Sequence, residues 1–224
     1  MQEECSVKAL FGYPEHSICY DYLAGFVYPW QALDGLGDFI CKTGEALPQE
    51  IYRRQSENIW IARDADIAAT ADLTGPLIVC PGAKIRPGAF VRGNVVVGAG
   101  AVVGNSTELK NCVLFDGVEV PHFNYVGDSV LGYRAHLGAG AVTSNIKSDR
   151  TNVIVRVGEV CIETGRRKLG AMLGDFAEVG CNSVLNPGTV VGRDSNIYPV
   201  SCVRGVVPEN SICKTGGRIV IKSK

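Results

Sequence analysis

A six-residue repeat of aliphatic residues, a high glycine content and a balanced charge predict an all-β fold, a parallel β-helix with three hexapeptide repeats in each coil. The aliphatic residues recur every six positions from Ile61 to Leu109 and again from Leu173 to Val203. Neither the 3.6-residue period of a helix nor the two-residue alternation of a strand produces this spacing. Short strands joined by corners, with one large side chain per repeat pointing inward, account for it.

The composition supports this interpretation. Glycine makes up 27 of the 224 residues, about 12% where roughly 7% is usual, and it often follows the repeated aliphatic position, where a corner favours a residue that can adopt positive φ. The 22 basic and 23 acidic residues nearly cancel, so we expect no nucleic acid as a partner.

The cysteines and the hydropathy indicate the compartment. The nine cysteines include no Cys-x-x-Cys pair, so neither a disulfide framework nor a zinc ribbon is expected, and most are interpreted as small core side chains. No charged and apolar leader follows Met1, and no apolar run approaches the length of a membrane span. We expect a cytoplasmic protein with reduced thiols and no membrane partner.

The repeat divides the chain into two regions. Residues 1–58 lack the period and are expected to be a helical capping region at the open end of the coil, with a helix near 30–43 and a second within HSICYDYLAGFVY. Residues 59–224 form the β-helix domain. The pattern lapses over SNIKSDRTN and ETGRRKLG, which predicts excursions near 144–152 and 158–170. The GRRK run is typical of a solvated loop.

Two cations share one phase of the repeat. Arg92 and Lys110 differ by 18 residues, one full coil, so they should stack on one face about 4.8 Å apart. Such a pair suits an anion such as a phosphate. Two solvated side chains that splay apart, with Glu108 compensating their charge, explain the same spacing, and phase alone leaves both readings open.

Histidine is rare and therefore informative. The chain has only His16, His122 and His136. Although a histidine on a strand is more often structural, His122 follows Lys110 by twelve residues, and an imidazole near an anion site can remove a proton at neutral pH.

The segment from Asn105 to Asn145 resembles a known family. It contains E-x-K, H-x-x-Y-x-G-D, L-G-A-G and T-x-N in that order. This series is similar to the acetyltransferase domain of the bifunctional N-acetylglucosamine-1-phosphate uridyltransferases, and residues 59–224 resemble the hexapeptide-repeat acyltransferases in general. The resemblance implies a left-handed coil, acetyl-CoA as co-substrate and a homotrimer with active sites between subunits.

The resemblance also implies residue roles. It makes His122 the general base for the sugar amine, and it makes Lys110 a ligand of the sugar phosphate. The family's phosphate-binding arginine stands in an R-P-G triplet, which Arg86 reproduces, yet the coil spacing selects Arg92.

Further matches concern the sugar and the cofactor. Tyr125 and Asn145 match residues that hold the sugar, and His136 stands where the family has a sugar-binding asparagine. The backbone of Ala139 matches a contact to the acetyl group, and Cys181 matches a residue near the pantetheine arm of acetyl-CoA.

These observations predict a CoA-dependent N-acyltransferase, acetyl being the expected group, that acts on an amino sugar or a sugar 1-phosphate such as glucosamine 1-phosphate. The alternative is a non-catalytic β-helix protein that binds a sugar phosphate or nucleotide sugar. The nucleotidyltransferase signature is absent, so we expect no pyrophosphorylase activity. No metal is implied, and a β-helical carbonic anhydrase is excluded because its zinc site needs two histidines spaced five apart, whereas His122 and His136 are fourteen apart.

Overall fold

The chain forms a parallel β-helix whose coils each have three faces. The structure, a computed structural model, describes residues 2–223. In the regular coils, the strands of successive coils pair in parallel at a register of 18 residues, as in Ile61 with Val79 and Val79 with Val97. Nearly all aliphatic residues at the six-residue spacing are buried. The fold class that the repeat predicts is confirmed.

The strands within residues 2–223 are short, as corners every six residues require. In chain order they are β1 Tyr52–Ser56, β2 Ile59–Ala62, β3 Asp66–Ile67, β4 Asp72–Thr74, β5 Leu77–Val79, β6 Lys84–Ile85, β7 Phe90–Arg92, β8 Val95–Val97, β9 Val102–Asn105, β10 Glu108–Leu114, β11 Glu119–His122, β12 Tyr125–Leu131, β13 His136–Leu137, β14 Val142–Thr143, β15 Ile154–Val157, β16 Val160–Glu163, β17 Ala171–Leu173, β18 Glu178–Val179, β19 Val184–Leu185, β20 Thr189–Val191, β21 Asn196–Ile197, β22 Cys202–Val203, β23 Val206–Val207, β24 Ser211–Cys213 and β25 Ile219–Ile221.

Parallel pairing defines three faces. Face A consists of β2, β5, β8, β17, β20 and β23 with the second halves of β10 and β12. Face B consists of β3, β6, β9, β11, β13, β18, β21 and β24. Face C consists of β4, β7, β14, β19 and β22 with the first halves of β10 and β12. β10 and β12 therefore pass from face C to face A without interruption.

Two consecutive coils are one residue short at this passage. The inward residues Leu109 and Leu114 are five apart, and so are Val126 and Leu131. The chain turns there through a single residue with positive φ, Asn111 (49°) in β10 and Asp128 (50°) in β12.

One excursion interrupts the coil. The ladder passes from β12 and β14 directly to β17 and β19, so the whole connection between β14 and β17 leaves the prism. Within it β15 and β16 form an antiparallel hairpin. The two excursions expected near 144–152 and 158–170 are therefore one, because residues 154–157 pair within the hairpin instead of rejoining the coil.

The N-terminal region contains helices that lie along face A. They are α1 Val7–Leu10, α2 Tyr20–Ala24 and α3 Leu36–Glu45, with 3-10 segments at Gln2–Cys5, Pro14–His16 and Pro29–Asp34. The helix expected near 30–43 is thus split at Gly35 into a 3-10 segment and α3. No helix within residues 2–223 has the length and apolar character to cross a membrane.

The N-terminal region covers a face instead of only closing an end. α3 contacts β5 and β8, and the segment Pro29–Asp34 contacts β12. As a result the outward side chains of face A are buried, among them Trp60, Ile78, Val96, Val113 and Met172. Within residues 2–58, it is β1 that lies at the open end, where it pairs antiparallel with β2. β25 pairs with β24 in the same way at the other end.

We expect Gly44→Ala to loosen the packing of the N-terminal region on face A. A methyl group at Gly44 would overlap the indole ring of Trp60. Overpacking of this kind should lower the free energy of unfolding by about 2 kcal/mol, measured by chemical denaturation. Lys42→Ala, on the exposed side of the same helix, is the control and should change it by less than about 0.5 kcal/mol. Equal stability of the two variants would contradict the packing argument.

Candidate functional site

A buried carboxylate organises the corner between faces C and A. Asp128 is 1% exposed. Its Oδ1 accepts from Lys110 Nζ and from Asn111 Nδ2, both at 2.9 Å, and its Oδ2 accepts from Asn145 Nδ2 at 2.6 Å. The paired ammonium and two amide donors compensate the cost of burying this charge.

Tyr125 completes this group. Its hydroxyl accepts from Asn145 Nδ2 at 3.0 Å, and its ring lies over Gly127, where a methyl group would overlap the hydroxyl. Burial, and then the charge of Asp128, raises the pKa of Tyr125, so the phenol stays protonated at neutral pH and can donate to a ligand. We call Lys110, Tyr125, Asp128 and Asn145 the polar cluster.

The predicted cationic pair is in register, and each member has its own carboxylate. Val91 pairs with Leu109, which sets Arg92 beside Lys110 at the end of face C. Arg92 Nη1 lies 2.7 Å from Glu108 Oε1, and this hydrogen bond raises the pKa of Arg92. Lys110 is paired with Asp128. The alternative reading, in which Glu108 compensates the charge, therefore applies to Arg92.

The second arginine candidate lies on another face. Arg86 follows β6 on face B and pairs with Asp66 at 3.1 Å. One coil separates Arg92 from Lys110, whereas Arg86 is out of phase with both. The geometry agrees with the choice of Arg92 by spacing.

His122 lies on the vertex between faces B and C, at the end of β11. It is exposed, and its side chain has no hydrogen bond or ion pair with any other residue that the structure describes. The next residue, Phe123, has φ of 51° and is 62% exposed. The buried Asn124 holds this corner, since its Oδ1 accepts from the His122 backbone N–H at 3.1 Å and its Nδ2 donates to the Gly138 carbonyl at 2.8 Å.

Ala139 and Cys181 continue this vertex on the next two coils. Gly140 N–H donates to the His122 carbonyl at 3.0 Å, and Asn182 N–H donates to the Ala139 carbonyl at 2.8 Å. The backbone N–H groups of Ala139 and Cys181 have no acceptor among residues 2–223. His122, Ala139 and Cys181 thus form a column, which we call the vertex column.

His136 is separate from both groups. It lies on face B, in register between Glu119 and Glu178 of the neighbouring coils, and lines a cavity of about 520 Å³ with these residues and Arg134. Tyr125 and Asn145 belong to the face C side, so the structure of one chain does not bring His136 to them.

The structure therefore brings the predicted residues together in two groups. Arg92, Lys110, Tyr125 and Asn145 gather toward the end of face C, and His122 with Ala139 and Cys181 lies at its beginning. Asp128 links Lys110 and Asn145 of the first group and was missed from the sequence, although its 17-residue spacing from both Asn111 and Asn145 was a usable signal. Within residues 2–223, no set of three or more His, Cys, Asp or Glu side chains is arranged to hold a metal ion.

Sequence comparison finds relatives for the central part of the chain. Residues 73–164 match the family described as the GMPPB C-terminal domain. The bifunctional sugar-1-phosphate nucleotidylyltransferase/acetyltransferase of Sulfurisphaera tokodaii is 40% identical over 98 residues, which are 44% of this chain and 24% of that protein. The bifunctional protein GlmU of Methanococcus maripaludis is 30% identical over 122 residues, which are 54% of this chain and 29% of that protein. The match thus spans about a quarter of the length of these relatives.

The similarity of this chain to solved structures is low. The acetyltransferase domain of PglB from Neisseria gonorrhoeae, in complex with acetyl coenzyme A, has a TM-score of 0.34 and 15% identity, covering 71% of this chain and 55% of that one. WeeI from Acinetobacter baumannii has a TM-score of 0.38 and 14% identity, covering 72% and 57%. These scores are too low to bear on the site. The six-residue repeat and the three-faced parallel coil are those of a hexapeptide-repeat β-helix, and residues 73–164 of this coil are similar to the GMPPB C-terminal domain family.

Proposed function

We propose that this protein transfers an acetyl group from acetyl-CoA to the amine of an amino sugar or sugar 1-phosphate. The observation that carries the proposal is the vertex column, where an exposed imidazole lies one coil away from a backbone N–H that has no acceptor among residues 2–223. A base and an oxyanion donor on neighbouring coils are the two groups that such a transfer needs. The relative from Sulfurisphaera tokodaii, which is named as an acetyltransferase, supports the same reaction.

His122 is the base in this mechanism. It accepts a proton from the sugar amine as the nitrogen attacks the thioester carbonyl. The Ala139 N–H donates to the oxyanion of the tetrahedral intermediate, and the carbon–sulfur bond then breaks. The thiolate of CoA leaves and takes up the proton that His122 holds, so no acyl-enzyme forms. Cys181, next in the vertex column, contacts the pantetheine arm.

The polar cluster and its neighbours bind the acceptor. The Tyr125 hydroxyl donates to the sugar, and Asn145, fixed by Asp128, contacts a sugar hydroxyl. Lys110 and Arg92 bind the phosphate. His136, which lies on face B, contacts the sugar from the side of a neighbouring copy.

We propose that three copies associate, so that each site lies between subunits. His122 lies at the beginning of face C, whereas Lys110, in register with Gly127, lies at its end. Residues of a second copy would fill the space beside the vertex column. Phe123 and Val200 support contact there, because both lie on this vertex and are 62% and 70% exposed. Apolar side chains on one exposed edge are typical of an interface.

A non-catalytic sugar-phosphate binding protein is the second candidate. It is favoured by one observation, that the polar cluster is held together by its own hydrogen bonds without His122. Calorimetry separates the two candidates, because only the enzyme must bind acetyl-CoA. Binding of glucosamine 1-phosphate with no binding of acetyl-CoA would favour the second.

We expect His122→Ala to lower kcat for acetyl transfer by at least about 100-fold, the usual contribution of a general base. CoA release from acetyl-CoA, with glucosamine 1-phosphate as acceptor, measures the rate. His136→Ala is the matched control and should raise KM for the sugar while kcat stays close to the wild-type value. Normal turnover by His122→Ala would exclude this residue as the base.

We expect Arg92→Met to impair acetyl transfer only when the acceptor carries a phosphate. Loss of one charge-assisted contact should reduce kcat/KM for glucosamine 1-phosphate by about tenfold and leave that for glucosamine unchanged. Arg86→Met removes the same charge from face B and should leave both acceptors unaffected. If the two variants behave alike, the assignment by coil spacing is wrong.

A further inference from the structure

The strand β25 has one edge that no other strand within residues 2–223 covers. It pairs antiparallel with β24 and ends the ladder of face B. Lys222 N–H donates to the Asn210 carbonyl across this pair at 2.8 Å. Because hydrogen-bonded residues alternate along an antiparallel ladder, the backbone groups of Val220 face β24, whereas those of Ile219 and Ile221 face outward. We call this outward side the free edge.

The free edge also has uncovered apolar side chains. Ile219 is 40% exposed and Ile221 is 65% exposed. They lie opposite Cys213 and Ser211, which are buried, and opposite residues of a ladder share one side of the sheet. Both isoleucines are therefore on the core side of face B, beyond the last coil. A β-branched edge strand with unpaired backbone groups is the type that accepts a further strand.

A cavity adjoins the free edge at the Ile221 end. It has a volume of about 780 Å³ and lies between the N-terminal region and the last coils. Ala9, Val207 and Pro208 line it together with Ile221, so part of its wall is apolar. Its volume is within the range of about 300–1,000 Å³ that is typical of ligand pockets. An extended segment along the free edge would place a side chain in this cavity.

Arg193, which lines the same cavity, has a buried donor without an acceptor. Its Nη2 lies 3.1 Å from Glu209 Oε2, but its Nε has no hydrogen-bond partner in the part of the chain that the structure describes. Buried donors of this kind usually have acceptors. A peptide main chain offers a carbonyl oxygen at every residue, so Arg193 favours a peptide as the occupant.

Two cations flank the apolar residues of β25. Arg218 precedes Ile219, and Lys222 follows Ile221. Lys222 Nζ donates to the carbonyl oxygen of Asp194, and no carboxylate of the described residues lies within 4.0 Å of either cation. Both charges are therefore available to acidic residues of a bound segment.

The same cations disfavour a second copy of β25 as the occupant. Two-fold pairing that satisfies the outward backbone groups would set Ile219 opposite the partner's Ile221 and Arg218 opposite the partner's Lys222. Like charges directly opposite each other destabilise a strand pair, and lysine beside an edge strand is a common safeguard against self-association. The occupant that fits is a segment with acidic residues at these positions.

We propose that the free edge of β25 binds an extended segment of another protein, with apolar side chains at alternate positions and an acidic residue at each end. Main-chain hydrogen bonds to Ile219 and Ile221 hold the segment, and the cavity and the flanking cations select its side chains. The site uses no residue of the vertex column or the polar cluster, so the proposal is independent of acetyl transfer.

The test uses short peptides labelled with fluorescein at the N-terminus and amidated at the C-terminus. The acidic peptide has the sequence Glu-Val-Thr-Val-Glu. The basic peptide has lysine in place of both glutamates. The methylated peptide is the acidic one with N-methyl groups on both valines, which removes the N–H donors that face β25 in an antiparallel pair. Fluorescence anisotropy measures binding of each peptide to the full chain.

We expect saturable binding of the acidic peptide. The basic peptide should bind at least about tenfold more weakly, because its charges repel Arg218 and Lys222, and the methylated peptide should show no saturable binding. Equal affinity for the acidic and basic peptides would overturn the proposal, and so would absence of binding by the acidic peptide.

Two variants locate the binding on β25. Ile221→Pro removes one outward N–H and leaves the pairing of Val220 with β24, at a position where an edge strand tolerates proline. It should weaken binding of the acidic peptide by about tenfold. Arg218→Glu/Lys222→Glu should reverse the preference, so that the basic peptide binds more tightly than the acidic one. Unchanged affinities in both variants would exclude the free edge as the site.

The matched control for the charge reversal is Arg53→Glu/Arg156→Glu, which alters exposed arginines elsewhere on the chain and should keep the wild-type preference. Circular dichroism checks that all variants fold. Sedimentation velocity tests the other occupant. If Ile221→Pro lowers the oligomeric state while the wild-type protein binds no peptide, β25 joins two copies of this chain and the proposal is wrong.

Discussion

Coil closure is the constraint on which this structure depends. Each coil must return to its starting register so that its strands meet those of the next coil, about 4.8 Å away. Each residue of a coil therefore lies beside the residue at the equivalent position of the preceding coil. Functional side chains are therefore arranged in columns, and two such columns contain most of the candidate site. One passes through His122, Ala139 and Cys181, and the other passes through Asn111, Asp128 and Asn145. The two shortened coils keep these columns aligned, because each coil lacks one residue at the same place, the corner between faces C and A.

The parts of the fold that follow from the period could be predicted from the sequence, and the rest could not. The inward residues, the three faces and the stacking of Arg92 on Lys110 all depend on spacing alone. The position of the N-terminal region depends on shape, since Gly44 must fit against Trp60 and Gly37 against Asn94, and no periodicity encodes such contacts. The hairpin in the excursion was missed because an alternating apolar stretch serves equally well in a coil and in a hairpin.

In the candidate site too, some residues could be predicted from the sequence and others could not. In the vertex column, Ala139 and Cys181 were indicated by the resemblance and not by the repeat, because a shortened coil and the excursion change the step from 18 residues to 17 and then to 42. Glu108, the partner of Arg92, was foreseen as a compensating charge. Asp128, the partner of Lys110, is harder to foresee, since a corner aspartate is usually a turn residue and gives no sign that it will be buried. His136 lies fourteen residues from His122, which is not a whole coil, and the register therefore sets it on another face. Resemblance alone grouped it with the sugar-binding residues.

The packing of the N-terminal region has a consequence for the order of folding. Gly12 N–H donates to Asp175 Oδ2 at 2.6 Å, a hydrogen bond across 163 residues of sequence. Ribosomal synthesis at roughly 5–20 residues per second delays the appearance of Asp175 by about ten to thirty seconds after that of Gly12. Coils, in contrast, need only the preceding coil as a template. The N-terminal region is thus synthesised before the coils that it covers and completes its contacts after them, and until then the apolar outer surface of face A is open to chaperones and to other nascent chains.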